Sequence, residues 1–388
     1  MSPPAALIAG WARSAVAPHG GAFGTLQAHE IAAPVIQALL AHAGIGPERV
    51  DAVVIGNALG AGGNPARLVA LAAGLSDTCA AFSIDTQCCS GLDAVSMAVG
   101  LIASGQASVV IAGGVEAWSR APIRQHRPLR ASDAAVTYER PAFAPDPARD
   151  PDMLASAARY AAEHGWTRAE QDAYAVQSHE RALAHQALLA DEIVSINGLA
   201  HDPYPRRISA ALAARMPAMA KNAEREEADH LDCSLSALSI STKADGAGFV
   251  LLASPEACRA LGLTPKAGWI ASASVGCPPE TPLLAAEVAA RAVLSRAGLA
   301  SADTLAVIEL HDAFAVQGLS FCQALHIDPP RMNRGGGGLA RGHPIGASAA
   351  IALVRVLAEL ALEKPLAYGL TAVAGAGGLG AAAIVQRL

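Results

Sequence analysis

Two stretches of the chain, Ala33 to Asn57 and Glu287 to His311, repeat one pattern at a nearly constant offset. Each runs through a helical segment, a small-residue turn (Ala43-Gly44-Ile45 in one, Ala297-Gly298-Leu299 in the other), a polar turn, an apolar strand and a polar loop. Two copies are too few to stack as a solenoid, so the pattern restricts the chain to two similar α/β halves packed together. In such folds chemistry belongs between the halves, at the C-terminal ends of strands.

The 388 residues are enough for two or three domains or one large duplicated unit. At 52% hydrophobic and 16% charged residues, a large core is available and disorder is not expected. Aromatics are only 4% and glycines number 36, which suits close-packed elements and sites lined by backbone. A net charge of −6 argues against a nucleic-acid partner. The seven cysteines are odd in number and form no C-x-x-C pair, so neither a disulfide framework nor a metal site is expected, and a cytoplasmic setting fits best. Met1-Ser2-Pro3-Pro4 lacks the basic start and apolar stretch of a signal peptide. The uncharged run from Ala94 to Val115 is broken by Gly100, Ser104, Gly105 and Gln106, and reads as helix–turn–strand, so no membrane span is expected.

Local patterns predict strands over Ala6–Ala9, Val50–Ile55, Val109–Ala112 and Ala306–Leu310. They predict helices over Ile31–Ala43, closed by Gly44, and over Pro65–Gly74. Between about Arg120 and Asp245 the texture changes to proline-punctuated loops and helices over Met153–Ala162 and Arg168–Ala190, the second opened by a Thr167/Glu170 capping box. This middle reads as an inserted subdomain. Its charges, including the run Lys221 to Asp232, read as solvated surface.

Asp85-Thr86-Gln87-Cys88-Cys89-Ser90-Gly91-Leu92 sits between an apolar strand and a small-residue helix. A thiol at that turn faces the positive end of the helix dipole, which favours the thiolate nucleophile. A buried, inert cysteine is the commoner fate of a lone thiol. The glycine-rich run Asn333 to Gly346 carries His343 just before a helix expected near Pro344, and a histidine boxed in by Gly and Pro is suited to activate such a thiol.

Together these motifs resemble the thiolase family of acyl-CoA acyltransferases over nearly the whole chain. Gln87 to Leu92 is similar to the family's nucleophile segment, Gly113 to Ser119 to the loop after it, and Gly342-His343-Pro344-Ile345-Gly346 to its histidine segment. The resemblance implies a thiolase-like α/β fold with two duplicated halves in a layered αβαβα arrangement and an inserted loop subdomain. The halves would span 1–119 with 246–262, and 263–388, with 120–245 inserted and binding coenzyme A. It implies an acyl-enzyme on Cys88, His343 as its activator, and an oxyanion hole formed by His343 with a water held by His311. A second oxyanion hole would use the backbone N–H groups of Cys88 and Ala376. Ser241, Met153, Arg206, Arg207, Ala313 and Phe314 are implied as contacts to substrate or coenzyme A. Coenzyme A and acyl-CoA would be substrates, with no separate cofactor, and the chain would form a homodimer or homotetramer.

The chain departs from the family at its second catalytic cysteine. The two positions where family branches carry it read Ala374 and Ala313, leaving Cys89, Cys277 and Cys322 as the remaining thiols in this region. His311-Asp312-Ala313-Phe314 replaces the usual Asn-Glu-Ala-Phe and resembles the sterol-carrier-type and archaeal branches. Three readings stand: a thiolase-type C-acyltransferase with a shifted acid/base, an acyltransferase or thioesterase that loads Cys88 without carbon–carbon chemistry, and a non-catalytic coenzyme A-binding subunit. The intact Cys88 and His343 argue against the last.

Overall fold

The computed structural model describes residues 4–222 and 231–388, so most of the charged run from Lys221 to Asp232 lies outside the described residues. The strands used below are β1 (Leu7–Ser14), β2 (Ala52–Gly56), β3 (Ala80–Ile84), β4 (Val109–Ala117), β5 (Ala244–Ala253), β6 (Ala267–Gly276), β7 (Leu305–His311), β8 (Tyr368–Gly375) and β9 (Leu379–Arg387). The helices are α1 (Ala28–Ala43), α2 (Pro65–Ala72), α3 (Ser90–Ala103), α4 (Met153–Glu163), α5 (Arg168–Ala184), α6 (Ala285–Arg296), α7 (Ala315–Leu325) and α8 (Ser348–Leu360).

The repeat in the sequence is a repeat in topology. One half carries the strand order β2-β4-β5-β1 and the other β7-β8-β9-β6. In each, the first pair is parallel and the next two pairs are antiparallel. The halves join where Leu7 and Ile8 of β1 pair with Gly268 and Ala267 of β6. Beyond β2 the first half adds β3 as an edge strand.

Apolar periodicity decides the layers. The inward stripe of α1 (Ile31, Val35, Ile36, Leu39) packs with α2 on the outer face of the first half. Ala286, Ala289, Ala290 and Val293 of α6 do the same for the second half, beside α7. Helices α3 and α8 are lodged between the two half-sheets; Leu92, Val95 and Ala98 of one and Leu353, Val356 and Leu357 of the other share one buried cluster. The result is the layered αβαβα arrangement. The central helices are small-residue-rich because both sides are covered, and at Gly91 even a Cβ would come within 2.8 Å of the Ala350 side chain.

The local expectations hold with shifted ends. Gly44 closes α1 in the left-handed conformation (φ 71°), and the Thr167/Glu170 capping box opens α5. Helix α5 stops at Ala184, short of the expected Ala190, and α8 begins at Ser348, one turn of 3₁₀ helix after Pro344. No helix among the described residues is long and apolar enough to cross a membrane.

The charges of the middle region are not all solvated, contrary to the sequence reading. Glu192 and Asp202 are buried and bind Arg13 of β1, and Glu192 also binds Arg355 of α8. Asp202 accepts both guanidinium N–H groups of Arg13 (2.8 and 2.9 Å) and the backbone N–H of Val16. Arg13 holds the Asp202 carboxyl below its ordinary range against the opposing pull of burial. This network ties the middle region to both halves. Glu192→Gln is expected to lower stability by about 3 kcal/mol, because two buried guanidinium groups lose their shared charge. Urea denaturation with an unchanged m-value measures it; a loss below about 1 kcal/mol would show the network to be dispensable.

Candidate active site

Helices α3 and α8 both start at the same end of the central layer, and the strand ends of the second half arrive beside them. Cys88 lies in the 3₁₀ turn Gln87–Cys89 that leads into α3. Gln87, the residue before it, has φ 55°, a left-handed conformation uncommon for a non-glycine residue. Its neighbours hold the turn: Ser90 Oγ donates to Gln87 O (2.5 Å), Thr86 N–H donates to Ser90 Oγ (2.9 Å), and Thr86 Oγ1 donates to Asp93 (2.6 Å). The sharp turn leaves the Cys88 thiol facing the second half.

His343 meets it there, with Nε2 3.1 Å from Cys88 Sγ. The backbone of His343 is pinned by its N–H to Thr242 O (2.7 Å). The next turn is pinned by Gly346 N–H to Glu116 Oε2 (3.0 Å). The Nδ1 side of the ring faces Ser348 Oγ at 2.8 Å. That hydroxyl hydrogen is committed to Pro344 O (2.9 Å), so Ser348 offers His343 a lone pair. With its proton on Nδ1 toward that lone pair, His343 presents a free Nε2 lone pair to the thiol, the tautomer of a general base.

The protonation state corrects the expected thiolate. Burial pushes the Cys88 thiol up to about 12, against the N–H groups of Ala376 and of Cys88 itself that bond the sulfur, with Glu116 and Asp85 adding negative charge nearby. Burial likewise lowers His343 to about 4. Desolvation outweighs the helix terminus, and the resting pair is thiol and neutral imidazole. The backbone N–H groups of Ala376 and Cys88 both point at the sulfur.

His311 ends β7 and lies against His343, its ring stacked at a centroid distance of 4.4 Å and its Nε2 2.5 Å from His343 Nδ1. Burial, with His343 and Arg341 nearby, holds His311 well below the usual imidazole range. The next residue, Asp312, is buried and accepts Tyr174 Oη–H (2.8 Å) and Asn333 Nδ2–H (3.2 Å), which fixes the loop carrying His311.

Other expected site residues gather around this core to different degrees. Ser241 N–H donates to Ala313 O (2.9 Å) and Ser241 Oγ donates to Gly338 O (2.6 Å), so the serine runs beside the His343 loop. Phe314 is buried, and Met153 at the start of α4 packs with Ala313 against the same small cluster. Arg206 is held over the Tyr204 ring at 4.4 Å and Arg207 is exposed; none of their described contacts joins the Cys88 cluster. Ala374 lies in β8 opposite Gly380, presenting a methyl group where a thiol was sought. Of the spare thiols, Cys89 is buried with its Sγ toward Val373 O (3.9 Å) and Cys322 packs on Met332, while the half-buried Cys277 bonds Gly378 O through its backbone N–H. Among the described residues no group of three His, Cys, Asp or Glu could hold a metal ion.

Two contributors escaped the sequence reading. Ser348 sets the His343 tautomer from one turn along α8. Glu116, next to last in β4, is buried and accepts N–H groups from Ala58 (3.0 Å), Leu59 (3.3 Å), Gly346 (3.0 Å) and Asn57 Nδ2 (2.9 Å). It locks the His343 segment of one half onto the β2 loop of the other. Burial raises its carboxyl to about 7 despite these donors. Its signal in the sequence was a lone acid between apolar strand and loop, which spacing alone does not distinguish from a surface charge.

Comparison with known proteins gives the family and the fold. The family model for the thiolase N-terminal domain matches residues 6–256, and that for the thiolase C-terminal domain matches residues 263–387. Acetyl-CoA acetyltransferase of Escherichia coli is 34% identical over 403 residues, covering 97% of each chain. Acetyl-CoA acetyltransferase of Pseudomonas aeruginosa is 35% identical over 396 residues, again covering 97% of each. Among solved structures, the acetyl-CoA acetyltransferase of Bacillus anthracis superposes with a TM-score of 0.88 at 29% identity, covering 100% of this chain and 99% of the other. A thiolase of Ascaris suum in complex with coenzyme A gives 0.87 at 26% identity, covering 99% and 100%.

Proposed function

Because the chain belongs to the thiolase family, we propose that it is an acyl-CoA C-acyltransferase that forms or cleaves a 3-oxoacyl-CoA through an acyl-enzyme on Cys88. The observation that carries this reading is the meeting of Cys88 Sγ, the free Nε2 of His343 and the N–H of Ala376 at the starts of the two central helices. Its full-length similarity to acetyl-CoA acetyltransferases supports acetyl-CoA as the donor to try first. Coenzyme A is then a substrate, held beside the Cys88 cluster by the 120–245 insertion with Ser241, Met153 and Phe314.

In the first half-reaction His343 Nε2 takes the Cys88 proton as sulfur attacks the thioester carbonyl. The N–H groups of Cys88 and Ala376 receive the oxyanion, and His343 returns the proton to the departing coenzyme A thiolate. His343 is then neutral again. In the second half-reaction an α-proton leaves a second acyl-CoA, its α-carbon attacks the acyl-enzyme, and Cys88 departs as thiolate. If His343 carries that α-proton to the Cys88 thiolate, the cycle closes with one base. The alanines at 374 and 313 are therefore compatible with carbon–carbon chemistry.

The same alanines favour a second reading, in which Cys88 is loaded and the acyl group passes to water. Incubation with acetoacetyl-CoA and free coenzyme A separates the two. Formation of two acetyl-CoA per acetoacetyl-CoA is expected; acetoacetate and coenzyme A with no carbon–carbon cleavage would establish the hydrolase instead.

The edge strand β3 is the proposed homodimer contact. Phe82 on β3 is 45% exposed, and Leu68 and Leu71 of α2 and Met97 of α3, on helices that pack against that strand, are exposed too. An unprotected apolar edge of this kind is normally paired. Light scattering at micromolar protein should give at least twice the 39.2 kDa chain mass; a monomer would refute the contact.

A further inference from the structure

We infer that Asp93 is a positioning residue for the nucleophile: its carboxylate ties the turn that carries Cys88 to strand β6 of the other half, and so holds the N–H of Cys88 in register with the N–H of Ala376. The inference deepens the proposed function and rests on that reading's use of these two N–H groups as a pair that receives the oxyanion.

The topology creates the need for such a tie. Cys88 belongs to the first half, in the turn before α3, whereas Ala376 lies in the loop between β8 and β9 of the second half. The two segments abut closely: a Cβ added at Gly375 would lie 3.2 Å from Cys89 Sγ and 3.3 Å from Thr86 O. Both N–H groups reach the Cys88 sulfur. Two such donors stabilise a developing charge best when their spacing is fixed before the reaction.

Asp93 stands in the first turn of α3 and is 9% exposed. One carboxylate oxygen accepts Thr86 Oγ1–H (2.6 Å), two residues before Cys88, and the other accepts Ser274 Oγ–H on β6. An ionised carboxylate only accepts, so both hydroxyls donate and both bonds are charge-assisted. Burial raises the Asp93 carboxyl and the Ser274 and Thr86 hydroxyls oppose that rise. Ser274 pairs with Ala381 of β9, the strand that leaves the Ala376 loop. The contacts therefore run from the Cys88 turn through Thr86, Asp93 and Ser274 to β9, linking the supports of the two donors. Among the described residues, the other polar contacts from residues 85–93 to the second half all pass through a sulfur: Cys88 with His343 and Ala376, Cys89 with Val373 and Ala381. Hydrogen bonds of thiols are weak, so the carboxylate supplies the firm link. A helix-dipole role accounts for an acid in the first turn of α3, but not for its bond to Ser274 across the two halves.

The test acylates Cys88 with p-nitrophenyl acetate, which needs no coenzyme A site. Sulfur bonds the acetyl carbon, the ester C–O bond breaks, p-nitrophenolate leaves and the thiol proton passes to His343. The burst of nitrophenolate reads the oxyanion donors, whereas alkylation by iodoacetamide forms no oxyanion and reads the thiol and its base alone. Ser274 is exposed, so Ser274→Ala leaves no buried cavity, and thermal melting verifies folding of each variant. The burst rates of Ser274→Ala and Asp93→Ala should each fall about tenfold, less than the loss of a whole oxyanion donor. Alkylation of Ser274→Ala should stay within about threefold of wild type, and Asp93→Asn, which accepts from one hydroxyl and donates to the other, should keep both rates within about threefold. A Ser274→Ala burst at the wild-type rate would overturn the inference. So would equal losses of burst and alkylation in that variant, or an asparagine variant that falls with the alanine variants. A wild type that p-nitrophenyl acetate does not acylate at Cys88 would overturn it as well. A protein that gives the expected pattern here yet is loaded by no acyl-CoA would instead count against the proposed function, so the two failures are distinct.

Discussion

Cys88→Ala is expected to lower turnover of acetoacetyl-CoA by about 10⁴-fold or more while leaving the melting temperature within a few degrees of wild type. The size of the effect follows from the role: without sulfur there is no covalent intermediate, and the two half-reactions cannot be divided. The fold survives because the thiol bonds only His343 among side chains and carries none of the contacts that hold the turn, which belong to Thr86, Ser90 and Asp93. Steady-state kinetics and calorimetry on the same preparation measure both. A variant that keeps more than about a tenth of wild-type turnover would remove Cys88 from the nucleophile's place.

His343→Gln should change the pH dependence of Cys88 as well as its rate. In the wild type His343, held down to about 4, is already neutral across the range from pH 5 to 9, and the thiol, pushed up to about 12, is still protonated there. Lowering the pH toward 4 protonates the imidazole and removes the base, so Cys88 reactivity is expected to be flat through neutrality and to fall only on the acid side. Without the imidazole the thiol must lose its proton to solvent. Alkylation of the variant should then rise in proportion to hydroxide until the thiol itself titrates, and at pH 7 should lie about 10²- to 10⁴-fold below wild type. A wild-type profile that rises with hydroxide in the same way would show that His343 does not take the proton.

The sequence carried the topology well because its signals are local. Glycines at 44 and 298 end the two helices in the left-handed conformation, and the strands that follow occupy matching places in the two half-sheets. Cys88 and His343 were legible for a similar reason, since small residues on either side clear space around a reactive group. What the chain order hides is desolvation. The turn at Cys88 reads as a thiolate site, yet the layers that close over it favour the neutral thiol. The pairing of Arg13 with Glu192 and Asp202 was equally hidden. A charge in a loop reads as solvated until the fold brings a distant partner to it. Ser348 and Glu116 belong with these: each acts on His343 through contacts across a turn or across the two halves.

The account stands on an acyl group carried by Cys88, and the direct measurement is the intact mass of the wild-type protein after brief mixing with acetyl-CoA, followed by peptide mapping. One acetyl group per chain, bound as a thioester at Cys88 and returned as acetyl-CoA when free coenzyme A is added, is the predicted result. An unmodified protein with acetyl-CoA and with longer acyl-CoA donors, or an acetyl group on any residue other than Cys88, would contradict it.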